Sequence, residues 1–256
     1  MIDIENICEK NEELRIDDLQ LKGYRIIQDK NKFCFGVDAV LLSDFARVKK
    51  NETLLDIGTG TGIIPILLEA KTQGKHFVGL DIQKECIELA KKSLELNGIA
   101  HKIDMICGDI NNAGEIFKDR YFDVITCNPP YMIGSHGAKG ENMEKAIARH
   151  EIYCTFEDIA RESSRLLKNK ARLYIIHRPF RLVEIFNTLT KYQLEPKRMR
   201  LVHPYADKEA NMVLIEALKG ASSRLEVMKP LIVHKTPGEY SDEIYEIYGK
   251  EKPDGK

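Results

Sequence analysis

The sequence predicts an α/β fold: a doubly wound, mostly parallel sheet with helices on both faces. Three observations carry that expectation. Short apolar runs alternate with helical patterns in the order β-α-β-α-β-α-β-loop-α-β-α-ββ. The crossovers between the early runs are long enough to bring each strand back parallel to the one before it. Acidic, glycine or asparagine residues stand at the carboxyl ends of those runs, where open α/β sheets bind their ligands.

Length and composition set the frame. The 256 residues read as one domain, 1–256, with 1–45 as an N-terminal extension holding a small strand and a helix. At 43% hydrophobic and 31% charged residues, the chain is not disordered as a whole. A net charge of -1 argues against a strongly basic nucleic-acid binder and leaves local patches open. No apolar run reaches the roughly 18 residues of a membrane span, and the N-terminus lacks a signal-peptide core, so a cytoplasmic protein without membrane contact is expected. The six cysteines, at 8, 34, 86, 107, 127 and 154, form no C-x-x-C pair and read as reduced thiols; no metal is expected.

Taken in order, residues 1–20 hold seven acids against two bases and read as a solvated lead-in. Residues 21–28 read as a short strand, followed by a turn. Asp38 then opens a helix that reaches Phe45, where on its own it would be an N-cap. Residues 53–57 form a buried strand ending in Asp56-Ile57-Gly58-Thr59-Gly60-Thr61-Gly62, before a helix over 63–71. Alternate glycines bare the backbone at this strand-to-helix turn, so a flat or anionic ligand can approach closely. The dinucleotide fingerprint fails because Ile63 stands three after Gly60, and no Gly-Lys-Ser/Thr follows, which excludes a phosphate-cradling loop.

The second strand, 76–80, ends at Asp81, a residue type that accepts hydrogen bonds from a ribose diol in such units and otherwise caps the helix over 84–96. The third, 103–107, ends in Gly108-Asp109-Ile110. There Asp109 can accept from an adenine amino group while the Ile110 N–H donates to a ring nitrogen. The fourth run, Val124 to Cys127, stops at Asn128-Pro129-Pro130-Tyr131, since two prolines cannot continue a ladder. Residues 132–148 are rich in glycine and charge and read as a functional or disordered loop. A capped helix from Thr155, a strand over 172–177, a helix over 180–190 and a hairpin of 195–203 with 210–217 follow. An apolar run at 231–234 and an amphipathic helix at 241–248 close the pattern.

Asp56-x-Gly58-x-Gly60-x-Gly62, Asp81, Gly108-Asp109-Ile110 and Asn128-Pro129-Pro130-Tyr131 together resemble the motifs of class I S-adenosylmethionine-dependent methyltransferases, in order. More narrowly, the chain is similar to the bacterial family that methylates N6 of the adenine beside the anticodon of valine tRNA. That likeness rests on Phe35-Gly36-Val37-Asp38-Ala39-Val40-Leu41-Leu42, on Ala148-Arg149-His150-Glu151, on His203-Pro204 and on Lys208-Glu209-Ala210-Asn211-Met212-Val213. It implies a Rossmann-like seven-stranded sheet ordered 3-2-1-4-5-7-6 with one antiparallel strand. It further implies S-adenosylmethionine as cofactor, tRNA as partner, and a monomer or weak homodimer. By the same resemblance Asp38 lies near the amino-acid end of the cofactor, the turn from Gly58 to Gly62 packs on it, and Asp81 holds the ribose with Ile82 beside it. Asp109 and Ile110 meet the adenine, and Asp56 and Asn128 complete the pocket.

The chemistry explains the fourth motif. An adenine amino nitrogen is a poor nucleophile because its lone pair is delocalised into the ring. The Asn128 side-chain oxygen and the Pro129 carbonyl can bind both amino hydrogens and draw the nitrogen toward tetrahedral geometry. Pro130 stiffens the turn, and Tyr131 offers a face for an extruded base. No strong general base is needed, so alignment and water exclusion supply most of the rate. Candidate RNA contacts are Phe35, Arg149, His150, Arg178, Lys197, Arg198 and Arg200. Between Arg161 and Arg200 eleven bases face three acids, which suits phosphates or simply marks exposed faces.

Rival readings share the motif: enzymes acting on a release-factor glutamine amide, enzymes acting on guanine N2 of ribosomal RNA, or a non-catalytic RNA-binding protein on a vestigial fold. The first would need an N-terminal helical domain, yet the glycine loop begins by residue 58. A DNA adenine methyltransferase would need a target-recognition domain for which no residues remain. Loss of Asn128, or an acid in place of Gly60, would have marked a vestigial site.

Overall fold

The computed structural model describes residues 12–31, 34–118, 121–129 and 154–250. The core is a run of parallel strands separated by helices: β3 (Thr53–Ile57), α2 (Ile63–Lys71), β4 (His76–Asp81), α3 (Lys84–Leu96), β5 (Ile103–Cys107), α4 (Ala113–Phe117) and β6 (Phe122–Cys127). The chain continues through α5 (Phe156–Leu166), β7 (Leu167–His177), α6 (Leu182–Lys191), β8 (Leu194–His203) and β9 (Met212–Lys219). Seven of these strands lie side by side in the order β8-β9-β7-β6-β3-β4-β5. Renumbered from β3, that is 3-2-1-4-5-7-6 read from the β5 edge, and β9 alone runs antiparallel to its neighbours.

The sheet exceeds the expected seven strands. Two short strands, β10 (Glu226–Val227) and β11 (Leu231–Ile232), extend the β8 edge in parallel, giving nine among the described residues. The N-terminal segment also departs from expectation. Instead of one strand over 21–28, β1 (Leu14–Asp18) and β2 (Arg25–Asp29) pair as an antiparallel hairpin. Its acids hid the first strand, because Leu14 and Ile16 are covered only when the hairpin lies across α3, against Leu89 and Leu96. The docking is specific. Asn97 at the end of α3 accepts from the Arg25 N–H at 2.8 Å and donates to the Arg25 carbonyl at 2.7 Å.

Period-two alternation sorts the strands onto two faces. Leu54, Phe77, Met105, Val124, Tyr174 and Leu214 face α1 (Val37–Phe45), α2, α3 and α7 (Asp242–Tyr248), while Leu55, Val78, Ile125, Leu173 and Ile215 face α4, α5 and α6. Both faces of the central strands are buried, which is why their sequences read as unbroken apolar runs. A small hairpin, β12 (His234–Thr236) with β13 (Glu239–Tyr240), leads into α7. Rings tie this segment down, with His234 stacked on Tyr240 at 5.1 Å and Tyr240 on Tyr248 at 5.8 Å.

Candidate active site

Register brings the motifs to one rim. Ile57 pairs with Leu80 and with Cys127, and Asp81 with Cys107, so the loops after β3, β4, β5 and β6 leave the sheet at the same level. The first loop is held by main-chain bonds. Gly58 and Thr59 both donate to the Leu80 carbonyl, at 2.9 and 3.1 Å, and Gly62 donates to Thr59 at 2.9 Å.

Its three glycines divide by role. Gly58 and Gly60 have φ of +70° and +56°, and a Cβ on either would meet nothing within 4 Å. They line open space. Gly62, at φ +84°, would push a Cβ to 2.5 Å from the Met105 methyl. Its missing side chain serves packing between α2, α3 and β5, not the pocket.

Three acids stand around this loop. Asp81 is buried, with Oδ2 accepting from the Gly60 N–H and Oδ1 from the Gln83 N–H, each at 2.8 Å. One carboxylate therefore holds the glycine turn and the start of α3 together; Oδ1 also takes the Gln83 side-chain amide at 3.5 Å, while Oδ2 keeps a second lone pair for a further donor. Next to it Ile82 is 43% exposed, an apolar side chain left on the rim of the pocket. Asp56 is fully buried and accepts from the Thr126 hydroxyl at 2.7 Å. Burial pushes its carboxyl up to about 7, against the hydrogen bond from Thr126 that pulls it down. Asp109 accepts from the Asn111 N–H at 2.8 Å and so caps a 3-10 turn, which presents Ile110 at its start.

These features fit S-adenosylmethionine, the donor implied by the motifs. Bare backbone at Gly58 and Gly60 leaves room for its amino-acid end, Asp81 offers an acceptor for a hydroxyl, and the exposed Ile82 gives an apolar wall for a purine whose edge Asp109 can meet, while the Ile110 side chain packs into the core.

At the end of β6 stand Asn128 and Pro129. The Asn128 amide nitrogen donates to Asp38 Oδ2 at 3.1 Å, across 90 residues of sequence. Asp38 lies in the first turn of α1, and its Oδ1 accepts from the Ala39 N–H at 2.9 Å. Sequence reasoning placed Asp38 and Asn128 at one site and missed that they touch. It also passed over Thr126, a hydroxyl inside a buried apolar strand, which is the signal that would have flagged it. Pro130, Tyr131, the loop 132–148, Arg149 and His150 lie outside the described residues.

Of the two readings left open for the basic segment, the structure shows many of its charges paired with acids. Arg161 pairs with Asp158 and Glu162, Lys168 with Asp123, Arg172 with Glu52 and Lys191 with Glu157. Arg198 is 7% exposed, paired with Glu216 at 2.8 Å and packed on the Phe45 ring, so an RNA contact there is withdrawn: its charge serves the interior. Arg200 is gripped by both oxygens of Glu243 at 2.7 Å and is likewise neutralised in place. Lys197 donates to the Ser222 carbonyl and Arg178 to the Asn211 carbonyl. Phe35 packs partly buried against the core beside α1. Among the described residues no cluster of His, Cys, Asp or Glu is arranged to hold a metal, and no helix is long and apolar enough to cross a membrane.

Residues 48–228 match the family described as a methyltransferase domain. The tRNA1(Val) (adenine(37)-N6)-methyltransferase of Flavobacterium johnsoniae is 28% identical over 236 residues, covering 90% of this chain and 99% of that one. In structure, a predicted O-methyltransferase from Agrobacterium tumefaciens superposes with a TM-score of 0.67 at 22% identity, over 85% of this chain and 100% of that one. A geranyl diphosphate C-methyltransferase from Streptomyces coelicolor, solved with S-adenosyl-L-homocysteine, gives 0.53 at 14% identity, over 72% and 75%. Fold, rim loops and family match agree, and the chain belongs to the methyltransferase-domain family, with S-adenosylmethionine as its methyl donor.

Proposed function

We propose that this chain methylates N6 of an adenine in tRNA, the adenine beside the anticodon of valine tRNA, as one domain spanning 1–256. It would act in the cytoplasm as a monomer or weak homodimer. The observation that carries the reading is the placement of Asn128-Pro129 at the tip of β6, level with the glycine loop, with the Asn128 amide held by Asp38. The name of the Flavobacterium relative, which this chain covers almost end to end, supports the substrate.

The cofactor, when bound, supplies an electrophilic methyl group on a positively charged sulfur. Around it, Asp81 and Ile82 hold the ribose end, Asp109 and Ile110 the purine, and the bare backbone of Gly58 and Gly60 the amino-acid end. Asp56 sits beneath that loop and ties β3 to β6 through Thr126. The Asn128 oxygen and the Pro129 carbonyl accept the two amino hydrogens of the target and localise its lone pair along the line of attack. Pro130 and Tyr131 follow directly in sequence, outside the described residues, and are assigned the stiffening of the motif and the stacking of the base by their chemistry alone. Phe35, Arg149, His150, Arg178 and Lys197 remain as RNA contacts.

Mass spectrometry of bulk tRNA incubated with the enzyme and isotope-labelled cofactor tests the reading. Labelled N6-methyladenosine beside the valine anticodon is the expected product. Label in a protein glutamine or in guanosine, with none in tRNA adenosine, would refute it.

A further inference from the structure

The link between Asp38 and Asn128 points to a positioning role. We infer that Asp38 fixes the Asn128 carboxamide with its nitrogen turned inward and its oxygen turned to the substrate, and that Gly36 makes room for the carboxylate that does so. The inference rests on the proposed role of Asn128 and adds the residues that set its orientation.

A carboxamide is nearly symmetric in shape, and its two ends have opposite hydrogen-bonding sense. Turned one way, Asn128 offers an acceptor to an incoming amino group. Turned the other way it offers two N–H donors to a group that is itself a donor, and the site cannot work. A carboxylate offers acceptors only, so whichever end of the amide lies on Asp38 must be the nitrogen. The observed contact, Nδ2 to Oδ2 at 3.1 Å, is that arrangement.

The carboxylate is itself held. Its other oxygen accepts from the Ala39 N–H in the first turn of α1, so the two oxygens are assigned one to the helix and one to the amide. Gly36 explains the third constraint. Its φ is -106°, a value open to any residue, so backbone freedom is not the reason for a glycine there. Space is the reason: a Cβ at position 36 would lie 2.8 Å from Asp38 Oδ1. Gly36, Asp38 and Asn128 thus form one device reaching from the N-terminal segment to the tip of β6.

Steady-state kinetics of Asp38→Ala, Gly36→Ala and the double variant, with S-adenosylhomocysteine affinity by calorimetry and Tm for each, test the device. Asp38→Ala is expected to lower kcat about 10- to 100-fold, the range seen when a partner orienting a reactive ligand is removed. Cofactor-product affinity and the KM for tRNA should stay within about threefold, a split that general loss of structure would not give. Gly36→Ala should lower kcat in the same way to a lesser extent, and add nothing in the Asp38→Ala background, where the carboxylate it displaces is gone. An unchanged kcat in Asp38→Ala overturns the inference. So does a tenfold loss of S-adenosylhomocysteine affinity with kcat kept at saturation, which would make Asp38 a cofactor ligand instead. Should Asp38→Ala fail to fold, Gly36→Ala decides alone by the same split, and an unchanged kcat there overturns the inference. Asn128→Ala separates the two levels: if it keeps turnover, the reading of Asn128 falls, whereas an inactive Asn128→Ala beside a fully active Asp38→Ala removes only the present inference.

Discussion

The two halves of the sheet handle polar groups in opposite ways. From β3 to β6, carboxylates brace the rim loops from within, as Asp81 does at the glycine turn, and the backbone is left bare at Gly58 and Gly60. From β7 to β9, charges are consumed internally: Arg172 by Glu52, Arg198 by Glu216, Arg200 by Glu243. The first half is organised to receive a ligand, and the second to hold the molecule together. Charge counted along a segment therefore says little about what that segment offers, because the fold brings in acids from elsewhere.

Substitutions should divide along the same line. Asn128→Ala, on the rim, is expected to lower kcat about 1000-fold, on the scale of removing one fixed hydrogen-bonding group that acts on the reacting centre, while S-adenosylhomocysteine still binds. Wild-type turnover would break the comparison at its centre.

Asp56 lies beneath the rim and should show itself in stability against pH. Its folded carboxyl is raised from 3.8 to about 7, so the native state holds its proton more tightly than the unfolded chain does. This group stabilises the fold at low pH, and its contribution is lost as pH rises from about 4 to about 7. The loss should amount to about 3 kcal/mol between about pH 4.5 and about pH 8 in the ligand-free protein, and Asp56→Asn should abolish that slope. Denaturant unfolding across the range measures it.

In the other half, Arg198→Ala strands Glu216 in the interior and should cost about 3 kcal/mol of stability. The KM for tRNA of whatever folds should not change. A raised KM at full stability would reinstate Arg198 as an RNA contact. Gly60→Val forces a β-branched residue into a left-handed turn over the pocket and should weaken S-adenosylhomocysteine about 100-fold by calorimetry, with less effect on Tm than Arg198→Ala.

What could be read from the sequence follows the same division. Helix α2 begins and ends where expected because its signals, the glycines before it and Lys71 in its last turn, are local. A mostly parallel sheet followed from the strand succession, and its order from the resemblance. Strand β1 was hidden because the cover for Leu14 and Ile16 comes from α3, about seventy residues on. The basic segment could be read two ways from the sequence for a related reason: the partners of Lys168, Arg172 and Arg200 lie 45, 120 and 43 residues away. Asp38 and Asn128 each stood out alone, and only the fold shows that one orients the other.

Helix α7 carries a temporal consequence. Ile244 and Ile247 close the core beneath α1, and Lys71 reaches the Ile247 carbonyl at 3.2 Å. Every group proposed to meet the donor has left the ribosome well before that helix is synthesised, yet the element presenting Asp38 lacks its support until Tyr248 has emerged. Until α7 docks, the pocket is nearly finished but the element that holds the Asn128 amide lacks part of its cover, so packing of this helix completes the site.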